Sequence, residues 1–139
     1  MRFFIFLAFL LLSHFAFAQT NSNLKVEPLL KTDTSYLGGK LIYPAGDSTE
    51  TTIVKITFPP GYSTGWHKHD YPLYGYVLQG ELTVETRERA PYIMKAGTAT
   101  AEVTGTWHNG SNKGTIDAVL IVVYLGKKGH PVSVKQESF

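Results

Sequence analysis

Between residues 40 and 130 the chain never sustains a helical hydrophobic period, and short β-type runs are cut by turn residues every few positions. The runs are Leu41–Tyr43, Thr51–Phe58, Tyr74–Leu78, Glu81–Thr86, Tyr92–Lys95, Thr98–Val103 and Ile116–Leu125. Turn signals separate them at Ala45 to Asp47, Pro59 to Gly61, Gln79-Gly80, Arg87 to Pro91 and Asn112 to Gly114. Many short strands at this spacing predict an all-β sandwich or barrel. The run Ile116–Leu125 is nearly all apolar, as a strand covered on both faces would be. Gly80, between Leu78 and Leu82, fits a tight hairpin needing positive φ, and Gly97 and Gly105 bracket a short strand. Arg87, Glu88 and Arg89 read as a solvated hairpin tip.

The 139 residues leave room for one domain, and the first 18 are expected to lie outside it. Arg2 precedes an apolar stretch from Phe3 to Phe17 broken only by Ser13 and His14, and Ala16 and Ala18 offer small residues before a new terminus at Gln19. This reads as a cleavable signal peptide, since the run falls short of the roughly 20 residues a bilayer core needs. Residues 19–39 are expected as a leader with the first strand or strands, 40–130 as the barrel and 131–139 as a tail. Loss of Arg2 leaves 12 basic against 11 acidic residues, scattered rather than clustered. That balance argues against a nucleic-acid partner. There is no cysteine, which excludes a thiol nucleophile and thiolate-bound zinc or iron–sulfur.

Four histidines remain after the signal: His67, His69, His108 and His130. His67 and His69 are two apart, so on an extended strand both rings share a face. Neutral imidazole is the commonest side-chain metal ligand, and a third histidine from another strand would complete a facial set. His130 sits in a Gly-His-Pro turn and reads as surface. Asn109-Gly110-Ser111 matches a glycosylation sequon but overlaps this histidine region, and it is discounted.

Gly61, the pair His67 and His69 after five intervening residues, and Gly80 beyond them resemble the first motif of the cupin superfamily. Gly97, Val103, Gly105, His108 and Asn112 follow the spacing of its second motif, with Val103 where the family usually has proline. The chain resembles the small single-domain bacterial cupins of type 2, here secreted. The resemblance implies a single cupin barrel (a double-stranded β-helix, or jelly roll) and a metal at His67, His69 and His108. It also implies pairing of two copies through outer strands, hence a homodimer.

One departure stands out. The family's first motif normally supplies a glutamate seven residues before its last glycine, and here that position is Leu73. Tyr74 is adjacent but of opposite strand parity. Glu102 shares parity with Thr98 and Thr100, where the family usually turns an apolar residue inward. A buried carboxylate is costly unless paired or bound to a cation. Glu102 is therefore expected either as a fourth ligand or as a hydrogen-bonding orienter of an imidazole, with a plain exposed glutamate as a lesser third reading. Trp66, Tyr71, Leu73, Tyr74 and Trp107 are expected to line a substrate pocket, with core or rim packing as the plainer reading of each aromatic.

Fold does not settle function. The leading expectation is a metal-dependent enzyme, dioxygenase-, isomerase- or lyase-like, acting in the periplasm or outside the cell on a small anionic or aromatic molecule. One divalent transition metal is expected: Fe, Mn, Ni, Cu or Zn. The alternatives are a non-enzymatic small-ligand binder with a lapsed catalytic site, and a barrel stabilised by a closed structural metal. No membrane partner is expected once the signal is cleaved.

Overall fold

A computed structural model describes residues 25–137, so the expected signal peptide and residues 19–24 of the leader after it lie outside the described residues. The described chain forms strands and no helix: β1 Thr49–Phe58, β2 His67–Lys68, β3 Leu73–Gln79, β4 Glu81–Thr86, β5 Tyr92–Lys95, β6 Ala99–Ala101, β7 His108–Ser111, β8 Ala118–Lys127 and β9 Val134–Lys135. They make two antiparallel sheets, one in the order β1-β8-β3-β6 and the other β5-β4-β7-β2-β9.

Period-two alternation builds the core. On β8, Ala118, Leu120 and Val122 are buried while the residues between them are part-exposed, and β3 turns Leu73 and Val77 to the same interior. The second sheet answers with Leu82, Val84 and Met94, and Phe58 closes one end. Each of the larger of these side chains contributes about 1.5–3 kcal/mol on leaving water. The seam between the edge strands β5 and β6 is covered from the N-terminal segment, where Tyr36 stacks on Tyr92 at 4.4 Å. The Tyr36 amide donates to the Ala101 carbonyl at 3.0 Å.

Several expectations shift at the level of elements. β3 and β4 lie in different sheets, so Gly80 is not the tip of a hairpin but a corner at which the chain changes sheets. Its φ is +68°, and an added Cβ would stand 2.6 Å from the Asp117 carbonyl oxygen. Gly97 and Gly105, both at positive φ, do flank the short β6. The run Leu41–Tyr43 forms no strand: Ile42 is 77% and Tyr43 50% exposed, with no sheet to cover them. Ile116 likewise lies before β8 and in solvent. In the stretch 131–139, Val134–Lys135 pairs with β2 as an edge strand.

Candidate metal centre

His67 and His108 are direct cross-strand partners of β2 and β7, which places both rings on one face of the second sheet. His69, two residues beyond His67, turns to the same interior and is buried, as is His108. One nitrogen from each ring meets the other two within 4.8 Å.

Backbone carbonyls decide which nitrogen that is. His67 Nδ1 lies 2.9 Å from Gly65 O, His69 Nδ1 2.7 Å from Val132 O, and His108 Nδ1 2.9 Å from Thr106 O. A carbonyl only accepts, so each Nδ1 carries the proton and each Nε2 presents a lone pair. Burial lowers the pKa of all three rings, and His69 falls to about 4 with His108 and His67 acting in the same direction. Three neutral imidazoles with converging Nε2 lone pairs are what a divalent cation requires.

The cavity they enter is small, about 80 Å³, and otherwise mostly apolar: Ile56, Phe58, Leu73, Leu82, Val84, Leu120 and Val122 line it, with Thr64, Glu102 and Tyr124. Glu102 is 8% exposed and its Oε2 has no hydrogen-bond partner. Oε2 stands 3.7 Å from His108 Nε2. That approach is no ion pair, because burial pushes the carboxyl up to about 7 while it lowers His108, so both groups tend to neutrality. An orphaned buried carboxylate oxygen facing imidazole lone pairs fits a site made for a cation.

Of the five residues expected to line a substrate pocket, Leu73 lines this cavity and the four aromatics do not. The alternation that turns His67 and His108 inward turns Trp66 and Trp107 outward. Arg87 sits over the Trp66 ring at 5.2 Å and Lys68 near the Trp107 ring at 5.7 Å. Tyr74 lies on the outward parity of β3 and shares a hydroxyl hydrogen bond with Tyr43. Tyr71 packs edge-on to the exposed His130. Sequence reasoning missed Tyr124, whose ring centroid is 5.7 Å from that of His69. Its signal was available as the one polar side chain on the inward parity of an apolar run. The carbonyl of Val132 left no such signal, since any residue supplies one.

The family model for the cupin domain matches residues 54–124, from within β1 to Tyr124 on β8. The chain belongs to the cupin family. Among solved structures this cupin is similar to a conserved protein of Klebsiella pneumoniae with a double-stranded β-helix domain, at 18% identity and TM-score 0.54 over 81% of this chain and 100% of that one. It is similar to the DMSP lyase DddQ of Ruegeria pomeroyi at 20% identity and TM-score 0.52, over 71% and 47% of the two chains. A predicted oxalate decarboxylase of Thermotoga maritima is 28% identical, with TM-score 0.47 over 53% and 64%. The cupin therefore spans 64% of that decarboxylase and about half of the lyase. The likeness to the Klebsiella protein and the lyase is one of fold. No curated protein matches the sequence.

Proposed function

We propose that this cupin is an exported metal-dependent enzyme, of dioxygenase, isomerase or lyase type, that acts on a small anionic molecule outside the cytoplasm. The observation that carries the reading is the triple Nδ1-to-carbonyl arrangement, which aims three Nε2 lone pairs into one buried cavity. Held there, a divalent Fe, Mn, Ni, Cu or Zn ion supplies Lewis acidity or a position for dioxygen. The chain's own residues do the rest. The carbonyls of Gly65, Thr106 and Val132 fix the rings, and the mostly apolar lining lowers the local dielectric so that charge interactions at the site are strengthened.

The cavity narrows the substrate. About 80 Å³ is well below the roughly 150 Å³ that holds a benzene ring. A small carboxylate or enolate, or the anionic end of a longer molecule, fits this reading better than an aromatic body. Export is supported by the apolar segment before Gln19, and a homodimer is proposed on the family resemblance.

The competing reading is a non-enzymatic binder with a lapsed site, favoured by Leu73 where the family motif carries a carboxylate. The deciding measurement is elemental analysis of the exported protein beside a variant combining His67→Ala, His69→Ala and His108→Ala. About one equivalent of transition metal, lost in the variant, is the expected result. No metal after reconstitution with several divalent ions overturns the metalloenzyme reading and leaves the binder.

A further inference from the structure

We propose that Glu102 is the anionic fourth ligand of this centre, delivered from the strand opposite Leu73; the inference rests on the metal reading above. Glu102 follows β6, and its amide donates to the Leu73 carbonyl at 3.0 Å, continuing the β3–β6 ladder in which Tyr74 faces Ala101. The two residues are thus cross-strand neighbours, and both side chains line the histidine cavity. The carboxylate missing from β3 is present one strand over.

The geometry separates a ligand from an orienting residue. An orienter accepts the remote N–H of an imidazole, and here all three Nδ1 atoms are already bonded to the carbonyls of Gly65, Val132 and Thr106. Glu102 instead faces His108 at Nε2, the nitrogen whose lone pair enters the cavity. A carboxylate oxygen and an imidazole lone pair aimed at each other need a shared proton or a cation between them. The 3.7 Å gap is too long for a hydrogen bond. Two donors each about 2.1 Å from one ion stand roughly 3 to 3.4 Å apart, which this gap approaches. No lysine or arginine lines the cavity to take that part. With three neutral imidazoles and one carboxylate, a divalent ion keeps one net positive charge, so the centre still favours an anionic substrate.

Cobalt(II) titration of the metal-free protein, followed by its visible absorption and by competition with a chelator, tests the assignment. Glu102→Gln is expected to weaken cobalt at least about 100-fold and to alter the absorption band. The exchanged pair Leu73→Glu with Glu102→Leu is expected to recover most of that affinity. Unchanged affinity and spectrum in Glu102→Gln, with binding abolished by the triple histidine variant, overturns this inference and leaves the metal site standing. Failure of the wild type itself to bind cobalt overturns the metal reading and this inference with it. If Glu102→Gln proves insoluble, the infrared difference between zinc-loaded and metal-free wild type decides. A shift in the carboxylate stretching region supports the assignment, and an unchanged region overturns it.

Discussion

A carboxyl group and an imidazole that share a buried cavity respond to pH in opposite senses, and the metal-free protein should show both. Burial raises Glu102 from 4.5 to about 7, so between those values the native state holds a proton that the unfolded chain has released. Its contribution is fully present below 4.5 and is lost as pH rises through 7. Burial lowers His69 from 6.5 to about 4, so its contribution is present above 6.5 and is lost as pH falls through 4. Glu102→Gln removes the first effect and leaves the second. In urea unfolding with a chelator present, this variant should match the wild type near pH 4.5 and be more stable by up to about 3 kcal/mol near pH 8. An equal stability difference at both pH values would mean that the Glu102 carboxyl is not held neutral by its surroundings. Part of this was legible beforehand: the parity of Glu102 with Thr98 and Thr100 pointed inward. What the sequence could not supply was the partner, because the facing nitrogen depends on which carbonyls capture the three Nδ1 atoms.

Strands with a strong alternating pattern were readable, and those made by long-range pairing were not. β4 and β5 fall on the bounds expected from pattern, and β1, β3 and β8 within two residues of them. β2 and β9 are two residues each and exist through pairing: β2 lies between β7 and β9, and β9 pairs with β2 alone. Leu41–Tyr43 shows the converse, an apolar run that stays in solvent because no neighbouring strand lies there to pair with it. Between β7 and β8 the chain depends on one side chain. Asn112 is 1% exposed, donates through Nδ2 to Phe58 O at 2.7 Å and Ile116 O at 2.8 Å, and accepts the Gly114 amide at 2.9 Å. Asn112→Ala strands two carbonyls and an amide, and should cost about 2–4 kcal/mol in denaturant unfolding. Asn112→Asp should cost at least as much, since it sets a buried carboxylate against two carbonyl oxygens. If alanine were the worse of the two, the Asn112 amide would not be the group that donates here.

At the scale of the whole barrel, the candidate site gathers chain segments that lie far apart in sequence. His67 and His108 bring β2 and β7 together, and His69 is held by the carbonyl of Val132, 63 residues away. Those contacts exist only in the folded state, so an ion bound through the three rings binds the native protein and not the unfolded chain, apart from weak capture by free histidines. Its stabilisation then follows mass action, about 2.7 kcal/mol at a free metal concentration of 100 Kd. For a domain of this size that corresponds to a rise of roughly 10 °C in Tm. Chelation should remove the rise, and restoring the metal should return it in proportion to the logarithm of its concentration. The variant lacking His67, His69 and His108 should melt at one temperature with or without metal. A shift that survived in that variant would place the ion elsewhere on the molecule. A wild-type melting temperature that metal and chelator leave unchanged, but that falls in the variant, would mean that the three rings stabilise the barrel by packing alone. Concentration dependence is therefore the feature that separates a bound ion from a well-packed histidine cluster.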